Sequence, residues 1–273
     1  MARREFRGKV VVVTGAASGL GRALAARFAA AGARVALLDR DAVAVEAAAA
    51  EIGASALGLP CDVSDAGQCE SALARACAAL GPVHVLINNA GISHRSVYVA
   101  TDPAVIRRVM EVNFFGAVHC TRAALADLVR TRGLIVTVSS VAGFSPLIAR
   151  TGYAASKHAL HGFFDSLRTE LAESGVDVML VCPAFVATGI ERNALGADGS
   201  PARHAQRIVG VRAAPAAVAE EIYRAARRGQ RLLLHGRTAR LAWWLSRFAP
   251  TLYARLMARR LRGEMQDEMS GGA

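Results

Sequence analysis

The stretch Val10-Val-Val-Val-Thr-Gly-Ala-Ala-Ser-Gly-Leu-Gly21 decides the fold. Four β-branched residues in a row, Val10 to Val13, suit a strand buried on both faces. Gly15, Gly19 and Gly21 follow, and Leu20 to Ala31 then reads as a helix ending at Gly32. Gly15 permits a tight turn. Gly19 and Gly21 let the backbone come close to an anion at the helix N-terminus, where unpaired amides and the helix dipole favour negative charge. A glycine spacing of this kind is weak by itself. Its strand-turn-helix context makes the turn, with Ser18 and Leu20 completing it, a candidate pyrophosphate cradle for a dinucleotide.

Working outward, the same alternation repeats. Strands are predicted at Arg34–Leu38, Ala54–Leu59, Val83–Ile87, Leu134–Val138, Val176–Val181 and Leu232–Leu234. Helices are predicted at Asp41–Ile52, Ser64–Leu80, Pro103–Arg130, Tyr153–Ala172 and Pro215–Arg227, with Asp41 and Ser64 as N-caps. Strands alternating with helices of this length form parallel βαβ units with right-handed crossovers. The expected fold is therefore α/β, a Rossmann-type doubly wound parallel sheet of seven strands in one domain over residues 1–235. Residues 236–273 form a C-terminal helical extension. The long segment Ala184–Ala214 has the length of an active-site lid.

Asp39 closes the second strand, where a carboxylate accepts hydrogen bonds from an adenosine ribose and repels a 2′-phosphate. NAD is thus favoured over NADP, although the adjacent Arg40 keeps NADP open.

Bulk composition narrows the function classes. With 53% hydrophobic and 20% charged residues, the 273-residue chain is not a disordered one. Its net charge of +11 is carried by arginine, since lysine occurs only at Lys9 and Lys157. Seven arginines and no acid lie between Arg237 and Arg262, so the basic character is local and a nucleic-acid binder is disfavoured. The five cysteines form no CxxC pair, which argues against a disulfide framework and a zinc site. They fit buried thiols of a cytoplasmic protein. The first residues have no apolar signal region. His158 and His161 have a metal-pair spacing but no acidic or thiol companion, so surface or subunit contact is expected and no metal.

Several further motifs occur in a fixed order: Asp62-Val63, Asn88-Asn89-Ala90-Gly91, Asn113, Ser139-Ser140, Tyr153-x3-Lys157, and Pro183 with Thr188. Together with Thr14 to Gly21 they make the chain, from about Lys9 to Leu234, resemble the short-chain dehydrogenase/reductases of roughly 250 residues. The physics agrees. Tyr153 and Lys157 share a helix face at i and i+4. A phenol titrates near 10, and a neighbouring ammonium is expected to lower that value towards the operating pH.

The resemblance implies that Tyr153 is the general acid/base and that Lys157 also binds the nicotinamide ribose. It implies that Ser140 rather than Ser139 bonds the substrate oxygen and that Asn113 holds a water in the proton relay. It places Asp62 and Val63 along the adenine, and Asn89, Ala90 and Gly91 on the cofactor floor. Pro183, Val186 and Thr188 would lie at the nicotinamide. One departure is Pro183-Ala184, where the family usually has Pro-Gly; alanine restricts the backbone there. The implied assembly is a homodimer or homotetramer through the helices near 103–130 and 153–172.

The candidate pocket segments, Ile92–Arg95, Phe144–Ile148 and Phe185–Leu195, are mostly apolar, and no arginine is evidently placed to clamp a carboxylate, with Arg95, Arg150 and Arg192 as the nearest in sequence. The expected activity is NAD(P)-dependent hydride transfer with a hydrophobic secondary alcohol or ketone. Two alternatives stand beside it: an NADP-dependent 3-oxoacyl-thioester reductase, and a non-catalytic NAD-sensing binding protein. In the extension, Leu241, Trp244, Leu245 and Phe248 form one helical stripe, Pro250 breaks it, and Leu252, Leu256 and Met257 begin another, with arginines on the opposite faces. It is expected to be a flap over the pocket or a subunit contact, or else an interfacial helix giving peripheral membrane contact.

Overall fold

The structure is a computed structural model that describes residues 3–191, 193–202 and 212–260. Seven parallel strands form one sheet: β1 (Val10–Thr14), β2 (Arg34–Asp39), β3 (Ala56–Pro60), β4 (Val83–Asn88), β5 (Leu134–Val138), β6 (Asp177–Pro183) and β7 (Leu232–His235). Their spatial order is β3-β2-β1-β4-β5-β6-β7. The chain winds outward from β1 in one direction to β3, then returns to β4 on the other side. This is the doubly wound Rossmann-type topology expected from the sequence.

The period-2 alternation of side chains explains why helices cover both faces. Val11 and Val13 of β1 and Val35 and Leu37 of β2 pack on one face with Leu24, Phe28 and Ile222. Those residues come from α1 (Gly19–Ala30) and α7 (Pro215–Arg227), with α2 (Ala42–Ile52) on the same side. Val12, Ala36 and Leu38 point the other way, onto Leu73, Leu128 and Phe164. These belong to α3 (Ala66–Leu80), α5 (Gly116–Thr131) and α6 (Thr151–Glu170). Every residue of β1 is buried, as its unbroken β-branched run requires.

Three local expectations need correction. The N-cap of α3 is Asp65, whose carboxylate accepts from the Gln68 amide at 3.1 Å, while Ser64 donates its hydroxyl to Asp62 instead. Two adjacent residues were both competent to cap, and the carboxylate is the stronger acceptor. The single helix expected over Pro103–Arg130 is two: α4 (Pro103–Met110) and α5, joined by a π turn at Glu111–Phe115. Ala184, flagged as a restricted substitute for glycine, sits at ordinary φ; among the described residues the only non-glycines at positive φ are Arg132 and Ala149.

Beyond β7 come α8 (Gly236–Phe248) and α9 (Pro250–Arg260), split at Pro250. No helix among the described residues is long and apolar enough to cross a membrane.

Candidate active site

The strand order reverses between β1 and β4, and the carboxyl ends of these strands open a crevice there. Gly15 and Gly19 take φ of 63° and 55°, a left-handed backbone that glycine adopts without penalty. Gly21 is required for a different reason. A Cβ on it would lie 2.1 Å from the Gly15 carbonyl oxygen and 2.6 Å from Asn89 Nδ2. The turn is held from below by Asn89, whose amide donates to the Thr14 and Gly15 carbonyls at 2.9 and 3.2 Å. Thr14 Oγ1 accepts the Asn89 and Ala90 amides, each at 3.0 Å. Asp39 braces it from the side, its Oδ2 accepting the Ala17 amide at 3.1 Å.

Ser18 stands at the N-cap of α1 but makes no side-chain capping bond, so the first-turn amides are left for a ligand. All cofactor-binding residues expected from the sequence, from Gly15 through Asp39, Arg40, Asp62, Val63 and Gly91 to Thr188, line one cavity of about 900 Å³. A bare glycine cradle at an uncapped helix start, with a carboxylate at the end of β2, fits a nicotinamide dinucleotide.

Ser140, Tyr153 and Lys157 line the same cavity. Tyr153 is half-buried in the first turn of α6. Lys157, one turn on, is 3% exposed, donates to the Val138 carbonyl at 2.9 Å, and has its Nζ 5.7 Å from the Tyr153 ring centre. The two serines separate by orientation. Ser139 is turned into the protein, donating to the Lys157 carbonyl at 3.2 Å and meeting His161 Nε2 at 3.1 Å. Ser140 accepts the Ala142 amide at 3.2 Å and lies beside the Tyr153 phenol.

The expected lowering of the Tyr153 pKa is absent from the protein alone. Withdrawal from water raises it, with the Ser140 hydroxyl and the Arg150 charge acting in the opposite direction. Lys157 pays for its own burial instead: its ammonium is pushed down to about 8. A buried base with a lowered pKa is regained as an ammonium when a partner that prefers the charged form binds. Affinity for NADH is therefore expected to be flat below pH 8 and to weaken above it, by up to about tenfold per pH unit, as a proton must be taken up on binding. A titration of NADH fluorescence from neutral to alkaline pH checks this. An affinity that stays constant above pH 8 would contradict it.

Asn113 does not line the cavity. It sits in the π turn, 1% exposed, with Oδ1 accepting the Ile92 amide at 2.8 Å. Its Nδ2 donates to the Ile92 carbonyl and to Ser156 Oγ, both at 2.9 Å. Both amide hydrogens are committed, so the side chain ties the loop after β4 to α6 rather than presenting a donor to the cavity. The π turn, a local departure common at functional sites, points the carboxamide inward.

The substrate end contains more charge than the sequence suggested. Arg95 and Arg150 are each 3% exposed and line the cavity, as do Arg108, Glu111 and Glu191; Arg192 lies outside the described residues. Around them Leu147, Phe185, Ile190 and Leu195 supply apolar wall. The extension completes it with Leu241, Leu245, Tyr253, Leu256 and Met257, and the Tyr253 phenol lies beside Ser145. Sequence reasoning named the stripes on α8 and α9, Leu256 and Met257 included, but not Tyr253, whose lining position shows only when α9 folds back.

Of the two histidines expected at the surface, His158 is there and His161 is not. His161 is half-buried and bonded to Ser139, whereas exposed His158 bonds the Ala154 carbonyl at 2.9 Å. His94 is wholly buried, its Nε2 accepting the Gly152 amide at 2.9 Å, and burial pushes it down to about 4. A neutral His94 therefore anchors the start of α6. Among the described residues no three His, Cys, Asp or Glu side chains are grouped to hold a metal.

Comparison with known proteins agrees with this geometry. A family model for short chain dehydrogenases matches residues 9–197. The dehydrogenase/reductase SDR family member 7B of Bos taurus is 41% identical, over 98% of this chain and 86% of its own. A dehydrogenase/reductase SDR family protein 7-like of Drosophila melanogaster is 35% identical, over 94% and 82%. Among solved structures, a 3-ketoacyl-(acyl-carrier-protein) reductase from Brucella melitensis complexed with NADH superposes with a TM-score of 0.72 at 27% identity, covering 83% of this chain and 96% of that one. An alcohol dehydrogenase from Thermococcus sibiricus complexed with 5-hydroxy-NADP gives 0.68 at 25% identity, covering 79% and 88%. With the matched family model spanning most of the chain and its motifs gathered around one cavity, the chain belongs to the short-chain dehydrogenase/reductase family of oxidoreductases.

Proposed function

We propose that the protein interconverts a hydrophobic secondary alcohol and its ketone, with NAD favoured over NADP. The observation that carries this reading is the convergence of Ser140, Tyr153 and Lys157 on a cavity whose far wall is apolar. A nicotinamide, when bound, supplies or accepts the hydride. The chain's own part is the proton and the oxygen. The Ser140 hydroxyl and the Tyr153 phenol lie side by side, so both reach one substrate oxygen. With its pKa raised, Tyr153 holds its proton at neutral pH and is poised to donate it to a ketone oxygen as the acid in the reducing direction. Lys157, fixed to Val138, holds a positive charge one turn away. A non-catalytic sensor has no use for this proton-donating set.

The test is a screen of aliphatic, aromatic and polycyclic ketones with NADH and NADPH, followed by nicotinamide absorbance. Turnover of apolar ketones supports the reading, and turnover of none of them overturns it. Arg95, Arg108 and Arg150 on the cavity wall favour one second reading, a 3-oxoacyl-thioester reductase whose substrate carries phosphate. An acetoacetyl thioester in the same screen separates the two.

Cofactor choice rests on Asp39. Its carboxylate would accept from the ribose and repel a 2′-phosphate. Asp39→Ala with Arg40 retained should move the NAD/NADP preference towards NADP by roughly 10–100-fold, the worth of charged hydrogen bonds. Equal kcat/KM for the two cofactors in the unaltered protein would contradict this. We further propose assembly as a homodimer or homotetramer through α4–α5 and α6.

A further inference from the structure

The last 25 described residues carry a surface unlike the rest of the protein. On α8, Leu241, Trp244 and Phe248 are 61, 57 and 72% exposed; on α9, Leu252 and Leu256 are 51 and 37% exposed. At i, i+3 and i+7, and again at i and i+4, these side chains form one stripe on each helix. Trp244 stacks on Phe248 with centroids 5.1 Å apart, so the apolar side chains are neighbours rather than scattered singles. Arg237, Arg240, Arg247, Arg255 and Arg259 are exposed around them. No acid occurs from Gly236 to Arg260, and the next carboxylate in the sequence is Glu264.

We propose that this face docks on an anionic phospholipid bilayer. Large apolar side chains whose charged neighbours along α8 and α9 are all arginines match a surface with an apolar interior and negative headgroups. Arginine stems lie along the apolar boundary while their guanidiniums reach the phosphates. A second copy of the chain is the wrong occupant. Two-fold self-pairing sets the same patch against itself and would bring the arginines of one copy onto those of the other. The position of the stripe adds a consequence that rests on the function proposed above. Leu241 and Leu256 are exposed and also line the catalytic cavity, so the docked face opens into it. An apolar ketone dissolved in the bilayer would pass to Tyr153 along side chains of its own polarity.

The two tryptophans of the chain, Trp243 and Trp244, both lie in α8, so intrinsic fluorescence reports on this face alone. The full chain is mixed with phosphatidylcholine vesicles, with and without phosphatidylserine, and followed by tryptophan emission and co-sedimentation. The expected result is a blue shift and sedimentation with phosphatidylserine vesicles at low salt, reversed at high salt as the charges are screened. Arg240→Gln with Arg255→Gln should weaken partitioning by roughly 25-fold, about fivefold per charge. Trp244→Ser with Phe248→Ser, which alters no cavity-lining residue, should abolish sedimentation while circular dichroism stays unchanged. No binding to phosphatidylserine vesicles at low salt overturns the proposal. So does concentration-dependent self-association that the Trp244 and Phe248 substitutions abolish, which would assign the face to a second copy, or capture of an acidic protein without vesicle binding. None of these readouts needs turnover, so they stand or fall apart from the assigned reaction.

Discussion

Tyr153→Phe is expected to lower kcat by roughly 10²–10⁴-fold, the usual contribution of one positioned acid or base, while NADH binding is retained. The substitution removes one oxygen from a half-buried ring and leaves the Lys157–Val138 bond, the glycine turn and the cavity wall in place. Loss of turnover with retained affinity is the signature of a group that acts only in the transition state. Lys157→Met should instead impair both, because that ammonium lies between the tyrosine and the cofactor floor: a Cβ on Gly91 would stand 3.5 Å from its Nζ. Steady-state kinetics with a turned-over ketone and NADH fluorescence titration measure the two effects separately. A Tyr153→Phe protein with near-full activity would refute the assigned acid.

Gly21→Ala should be the most damaging single change at the cofactor end. The new methyl would meet the Gly15 carbonyl oxygen at 2.1 Å and the Gly15 carbonyl carbon at 2.8 Å, both main-chain atoms that cannot swing away. Either the turn opens or α1 shifts, and both move the uncapped amides of the cradle. Overpacking of this kind costs about 1–3 kcal/mol, which predicts a loss of NADH affinity of roughly 10–100-fold together with a lower melting temperature. Unchanged affinity and stability would mean that the contact between Gly15 and Gly21 has been misread.

Where the sequence was legible, the reason is local. Four β-branched residues before three glycines admit few alternatives to strand and turn, and the i, i+4 pair Tyr153 and Lys157 needs only helical geometry to share a face. The π turn at Glu111–Phe115 was not read, because one extra residue in a single turn is a small phase slip within a long apolar pattern; Asn113 was identified by family resemblance, but its inward, fully bonded carboxamide was not foreseen. Burial of Arg95 and Arg150 was equally hidden. Arginine is usually exposed, and only the closure of three segments around the cavity buries these two. The direction of the Tyr153 shift was missed for a related reason: spacing places the ammonium near the phenol but says nothing of how dry the site is.

The central claim, that the chain catalyses hydride transfer from the nicotinamide with Tyr153 supplying the proton, is tested most directly by isotope transfer. NADH carrying deuterium at both hydrogens of the reactive carbon is incubated with an apolar ketone and either the unaltered protein or Tyr153→Phe, and the product alcohol is examined by mass spectrometry. The expected result is one deuterium on the carbinol carbon with the unaltered protein, and almost no alcohol with Tyr153→Phe. Tight NADH binding with no labelled alcohol from any ketone or 3-oxoacyl thioester would contradict the claim and leave a binding protein in place of an enzyme.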